Sequence, residues 1–362
     1  MIEARLASLR LAMGATQLDA LLITSRANIR YLTGFSGSSG LLVVTMAEQV
    51  LLTDFRYQSQ AVTEVGDAAE IVIEPVSLWT RLGAVLPRLG KIRIAGFDPA
   101  QLHVSEHARL VDKVSTDRRI EWRTTPGLVE SLRVAKSAGE LRHIREAISI
   151  AEHALDQTIR QVRVGLSELE VCGLLEDLLR RAGSETHPFE AIVAAGARTA
   201  LPHARSTKKL IVSGDWLLID FGAVCQGYCC DLTRTFVVGT ASAEQRTLHS
   251  VVRESNLAAS GAVRAGMRGR AADALARDYI DRHGWGAEFG HSLGHGIGLE
   301  VHEAPRLART NDAVLPLGAV VTIEPGIYCP DWGGVRIEDD VHLGPAGPEV
   351  LSRFPRELLE LG

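Results

Sequence analysis

The sequence predicts an α+β protein in two parts: a smaller α/β domain over residues 1–125 and an internally duplicated α+β domain over residues 130–362. Three observations carry this expectation. The N-terminal third alternates short β-type apolar runs with helical patterns, the signature of an α/β layer arrangement. From Ser137 the pattern changes to long amphipathic helices followed by hairpins. That second pattern then occurs twice, with a pseudo-two-fold relation as its consequence.

The chain opens on an amphipathic helix near residues 3–13, with Ile2, Leu6, Leu9 and Met13 on one side. Strands are expected at residues 20–24, 41–45, 50–54, 71–74 and 91–95, and further helices near 54–65 and 77–89. The Gly/Ser tract from Gly34 to Gly40 fits neither a phosphate loop nor a dinucleotide pattern and reads as a tight strand-connecting loop. Pro126-Gly127 marks the junction between the parts.

In the second part, Ser137-Ala-Gly-Glu140 is a capping box opening a helix with the stripe Leu141, Ile144, Ile148, Leu155 and Ile159. It exits through Val162-Arg-Val-Gly-Leu166 into a helix from Ser167 to near Gly183. The same order returns with Ser242-Ala-Glu-Gln245, Val263-Arg-Ala-Gly-Met267 and a helix stopping near Gly284. Each half then ends in a hairpin that carries two acids.

Those acids are the chemically informative residues. Gly214-Asp-Trp-Leu-Leu-Ile-Asp220-Phe-Gly222 and Gly318-Ala-Val-Val-Thr-Ile-Glu324-Pro-Gly326 each run from apolar residues into a carboxylate. A second strand follows each, with Asp231 and Glu338. Carboxylates are rarely buried unless paired or bound to a cation. Asp220 and Asp231 flank a turn around Cys225-Gln-Gly227, and several registers would leave them opposite or diagonal on one face. Four converging carboxylates raise each other's pKa, a conflict that two shared divalent ions resolve. An imidazole is available from His291, His295 or His302 in a glycine-rich stretch. The HExxH pattern is absent, and the glycines argue against a regular helix. Oxygen-rich ligation with one imidazole suits Mn, Co, Fe or Zn.

The remaining composition narrows the function classes. Lys+Arg 39 against Asp+Glu 44 leaves a net charge of −5, which argues against a nucleic-acid or anionic-membrane partner. No apolar run is long enough to span a membrane, and the charged N-terminus lacks a signal-peptide core. Five cysteines without regular spacing read as cytosolic thiols, so a cytoplasmic location is expected. Adjacent Cys229 and Cys230 read as small residues of a buried strand.

Five ordered segments resemble the pita-bread metallopeptidases of the proline-specific branch, the Xaa-Pro aminopeptidases and prolidases. They are Leu-Ile-Asp-Phe-Gly, Asp-Leu-Thr-Arg-Thr, Gly-His-Gly-Ile-Gly-Leu-Glu-Val-His-Glu-Ala-Pro, Ile-Glu-Pro-Gly-Ile-Tyr and Gly-Gly-Val-Arg-Ile-Glu-Asp. Asn28-Ile-Arg-Tyr-Leu-Thr-Gly-Phe35 resembles the creatinase-type N-terminal domain of the same proteins, so the likeness spans nearly the whole chain. The resemblance implies a pita-bread catalytic domain with Asp220, Asp231, His295, Glu324 and Glu338 as ligands of two divalent ions, Asp231 and Glu338 bridging. It implies that Glu324 also shuttles a proton, and that His203, His291 and His302 contact substrate and stabilise the tetrahedral intermediate. Arg336 matches the arginine characteristic of the proline-specific branch. A proline-containing peptide is the implied substrate and a homodimer the implied assembly. Cys230 stands where many relatives have another small or hydroxylated residue.

An acidic solvated sheet is the plainest alternative, but the acids follow runs that look buried. A non-catalytic relative, or creatinase, would lack ligand positions that are intact here. Methionine aminopeptidase fits poorly with Arg336 and the long N-terminal part. Between the proline-specific modes, the short N-terminal half and Phe-Gly-His-Ser-Leu-Gly-His resemble small bacterial aminopeptidases P. The expectation is therefore an Xaa-Pro aminopeptidase, with prolidase as the alternative.

Overall fold

The computed structural model describes residues 2–114 and 120–362. The chain divides into two compact units, Met1–Arg133 and Val134–Gly362.

The first unit is a mixed sheet with helices. In chain order it contains α1 (Ile2–Ala15), β1 (Ala20–Ile23), α2 (Arg26–Thr33), β2 (Leu41–Thr45), β3 (Gln49–Thr53), α3 (Gln58–Val65), β4 (Glu70–Ile73), α4 (Leu78–Val85), β5 (Ile94–Phe97), α5 (Val104–Arg109), β6 (Glu121–Thr124) and α6 (Glu130–Arg133). The sheet order is β4-β3-β2-β1-β5-β6. Among the differences from the sequence expectation, three have a local cause. β5 begins at Ile94 rather than residue 91, because Asp19 accepts the Arg93 and Ile94 amides (2.8 and 2.9 Å) and sets the parallel register Ala20↔Ala95. The Gly34–Gly40 tract joins a helix to a strand, since α2 is capped by Ser25 and ends on Gly34 at φ 83°. The seam lies beyond Pro126-Gly127, because Asn28 holds Glu130 (2.6 Å) and Arg133 (2.7 Å) within the first unit.

The second unit has the duplicated plan. Its first half is α7 (Ala138–Ile159), α8 (Glu168–Ala182), β7 (Ile192–Ala195), β8 (Trp216–Phe221), β9 (Val224–Cys225), β10 (Tyr228–Cys229) and β11 (Leu232–Val238). Its second half is α9 (Ala243–Ala262), α10 (Gly269–Arg282), β12 (Gly294–Gly296), β13 (Glu303–Leu307), β14 (Val320–Ile323), β15 (Gly326–Cys329), β16 (Gly333–Arg336), β17 (Asp339–Gly344), β18 (Gly347–Val350) and the terminal β19 (Glu360–Leu361). Capping boxes at Ser137, Ser167 and Ser242 satisfy amides at three helix starts. The sheets run β19-β11-β8-β7 and β13-β12-β14-β17-β18. Each buries an apolar face with its own helix pair, giving two core clusters, one around Ile219 and Leu175 and one around Ile323 and Ile280. The architecture is α+β in each half of this unit, as the sequence predicts.

The two halves are joined by polar contacts rather than by one continuous sheet. Arg234 of β11 donates to the Glu338 carbonyl (2.6 Å) and to Asp339 (2.9 Å). Within the second half, Asn256 of α9 donates to the carbonyls of Ile323 and Ile337 (2.9 and 3.2 Å). These bonds lock together the strand ends that carry the acids.

Burial also predicts acid sensitivity. His249 of α9 is buried, and desolvation, followed by the charge of Arg253, pushes its pKa down from 6.5 to about 4. The folded state thus prefers the neutral ring more strongly than the unfolded chain does. Its contribution is full above pH 6.5 and is lost as pH falls through about 4, a loss of roughly 3 kcal/mol. Thermal melts between pH 7 and 4 should show this decline, and His249→Gln should flatten it. An unchanged profile in the variant would assign the acid sensitivity elsewhere.

Candidate active site

The register of β8 and β11 resolves the first acid pair. Asp220 lies opposite Thr233, so Asp231, two residues before Thr233, is diagonal to it on the same face. The intervening β9–β10 hairpin turns at Gln226 (φ 48°) and Gly227 (φ 78°), a two-residue turn with both central residues in the left-handed region. Glu324 follows β14, its amide bonded to the Leu293 carbonyl (2.9 Å). Glu338 sits between β16 and β17, its amide bonded to the Thr233 carbonyl (3.1 Å) and its carboxylate to the Thr233 hydroxyl (2.6 Å). Thr233 therefore ties the acids of one half to those of the other.

His295 comes from strand rather than helix. β12 is enclosed so closely that a Cβ on Gly294 would lie 2.0 Å from the Thr322 carbonyl oxygen, and one on Gly296 would lie 2.1 Å from that of Ala304. The His295 Nδ1 is 3.0 Å from the Gly296 carbonyl. A carbonyl only accepts, so Nδ1 carries the proton and Nε2 offers its lone pair. That Nε2 points between Glu324 (3.5 Å) and Asp231 (3.8 Å).

All nine residues singled out in the sequence line one cavity of about 790 Å³: the four acids, His203, His291, His295, His302 and Arg336. The donor atoms of Asp231, His295 and Glu338 lie within 4.8 Å of one another. Asp220, Asp231 and Glu338 are only 9%, 6% and 2% exposed, which removes the solvated-sheet alternative. Burial, then neighbouring carboxylates, drive Asp231 and Glu338 well above the usual carboxylate range. Burial likewise raises Glu324 to about 8, against the opposing pull of Arg336. Asp220 Oδ1 and Asp231 Oδ1 are buried with no protein partner. Orphaned carboxylate oxygens, crowded like charges and a preset imidazole lone pair fit divalent cations and little else.

The other groups differ in their contacts. His291 is committed on both nitrogens, Nδ1 to the Ser292 carbonyl (2.8 Å) and Nε2 to the Tyr328 hydroxyl (2.9 Å). Arg336 is buried, donating to Asp220, to the Tyr328 hydroxyl (2.7 Å) and to the Thr233 hydroxyl (3.2 Å). Both are thus tied to neighbouring groups of the site. His302 is exposed to the cavity, its ring 4.5 Å from that of His295, and burial together with Arg306 lowers its pKa. His203 is exposed on the cavity wall.

Sequence reasoning did not single out Thr233, Tyr328 or Arg306. Thr233 and Tyr328 lie inside the quoted motifs, but hydroxyls carry no pattern of their own. Arg306 sits on β13, lines the cavity and has no ion pair among the described residues. Glu303 on the same strand is instead paired with buried Lys136 (3.1 Å).

The fold and the site together define a metal-dependent hydrolase of the two-lobed peptidase type. Residues 142–345 match metallopeptidase family M24 and residues 5–135 match the creatinase/prolidase N-terminal domain, and the chain belongs to family M24. A Xaa-Pro dipeptidase of Pyrococcus horikoshii is 33% identical, covering 96% of each chain. The solved structure of a Xaa-Pro dipeptidase from Bacillus anthracis superposes with a TM-score of 0.95 at 40% identity, covering all of both chains. That of an X-Pro aminopeptidase from Thermotoga maritima superposes with a TM-score of 0.89 at 36% identity, covering 97% of this chain and 100% of the other. Among the described residues no helix is long and apolar enough to cross a membrane.

Proposed function

We propose that the protein is a Xaa-Pro dipeptidase that holds two divalent ions. This reading replaces the aminopeptidase expected from the sequence. Two of the relatives above carry the dipeptidase name, and the cavity supplies a reason. A dipeptide presents a free carboxylate one residue beyond the scissile bond, and the observation that carries the reading is Arg306, an exposed arginine on the cavity wall with no ion pair among the described residues. The Thermotoga maritima neighbour favours aminopeptidase action as the second reading.

Asp220, Asp231, His295, Glu324 and Glu338 would hold the ions. When bound, such ions supply Lewis acidity and water activated near neutral pH. Glu324 takes the proton of the attacking water and delivers it to the proline nitrogen. His302 donates a hydrogen bond to the carbonyl oxygen as negative charge develops, and its lowered pKa keeps it a neutral donor. His203 contacts the substrate from the same cavity. The bond cleaved is a tertiary amide with no N–H, so the site needs no acceptor for one.

A peptide panel tests the choice. Xaa-Pro dipeptides should be hydrolysed efficiently, and Xaa-Pro-Yaa and C-terminally amidated Xaa-Pro poorly. Arg306→Ala should raise KM for the dipeptide by roughly tenfold or more, with a smaller effect on kcat, as expected for a lost charged hydrogen bond. Efficient tripeptide cleavage, indifferent to the carboxylate, would restore the aminopeptidase reading.

A further inference from the structure

A second group of metal-ligating side chains converges outside the catalytic cavity. His143 and Glu146 stand one turn apart on α7, and Cys225 ends β9. Their donor atoms all lie within 4.8 Å of one another. His143 Nδ1 is 3.5 Å from Glu146 Oε2, yet it is buried and makes no hydrogen bond. The Cys225 thiol donates to the same Glu146 oxygen at 3.4 Å.

The arrangement is built from both sides. Glu185 accepts the amides of Gln226 (2.6 Å) and Gly227 (3.0 Å), which fixes the turn beside Cys225. Across that turn Tyr228 pairs with Cys225, and its ring stacks on His143 at 5.8 Å and 20°. The Tyr228 hydroxyl is held by Glu140 (2.9 Å). Imidazole, thiol and carboxylate are thus oriented toward one another by contacts that do not involve the catalytic cavity. Glu146 is half-exposed, so an ion has a route in from solvent.

We propose that His143, Glu146 and Cys225 bind one zinc-class divalent ion, separate from the cations of the catalytic cavity. One sulfur, one nitrogen and one oxygen ligand form a zinc donor set with a fourth position open to water. Burial, with Glu146, holds the Cys225 thiol up at about 11, so it stays protonated until a cation takes the proton's place. Binding releases that proton to solvent and forms the sulfur–metal bond. The bound ion ties α7 to the hairpin whose arms lead to Asp220 and Asp231.

The test is titration of the full-length protein with Cd²⁺, followed by the near-ultraviolet thiolate-to-metal charge-transfer band. The expected band corresponds to one thiolate-bound ion per chain and is absent in Cys225→Ser. His143→Ala should weaken it by roughly tenfold or more, since even groups behind the ligands matter on that scale. Asp231→Asn, which alters only the catalytic cavity, should leave the band intact. Circular dichroism confirms that each variant is folded. No band in the wild type, a band surviving in Cys225→Ser, or its loss in Asp231→Asn would overturn the proposal.

Discussion

Asp231→Asn and Glu338→Gln are each expected to reduce peptidase activity by on the order of 10⁴-fold, the scale for removing one member of a catalytic unit. Both carboxylates lie at the centre of the acid cluster, and Asp231 and Glu338 share their 4.8 Å neighbourhood with His295. An amide of the same shape keeps the packing but cannot supply the charge that offsets a divalent cation. Elemental analysis should find less metal in each variant. Thermal melts of chelated protein give the control: removing one of several crowded buried charges should leave the metal-free fold as stable as the wild type, or more so. Full activity with unchanged metal content would remove both residues from the ligand set.

Arg336→Ala should be the most destabilising single change in the site. The guanidinium is buried and meets Asp220, Tyr328 and Thr233, with the nearby carboxylates and Tyr328 holding its pKa well up. Truncation leaves Asp220 buried without its cation and Tyr328 without its donor. Breaking a buried pair from one side costs about 3–5 kcal/mol, on the order of 10 °C in Tm for a domain of this size. Because Tyr328 in turn holds His291, kcat should fall as well. Calorimetry of the metal-free protein measures the stability loss, and Arg336→Lys should recover only part of it, since an ammonium cannot reach all three partners in one plane. A variant as stable as the wild type would show that Asp220 is satisfied by other means.

The helix starts and the duplication were readable locally. Ser137 with Glu140 and Ser242 with Gln245 act through bonds three residues apart, so the sequence alone specifies them. The acids stood out because a carboxylate at the end of Leu-Leu-Ile or Val-Thr-Ile contradicts the burial that its neighbours imply. Strand extent was less readable. β5 starts where the Asp19 side chain meets its amides, and β6 shows no clear alternation to announce it, with Glu121 and Thr124 exposed.

What the tertiary structure decided is the division of labour among groups the sequence could only name. His291 and His302 look equivalent along the chain, yet both nitrogens of His291 are bonded to Ser292 and Tyr328 while His302 stays exposed to the cavity. Arg336 and Arg306 are two arginines of the same half. One is buried across Asp220 and Tyr328, and the other is exposed on the cavity wall. Cys225, His143 and Glu146 come from places about eighty residues apart and meet only because a two-residue turn sets β9 beside α7. Capping and apolar periodicity act within a turn or a strand and are therefore written in the sequence. The state of an imidazole, a guanidinium or a thiol depends on partners brought in from distant segments, and only the packed structure supplies them.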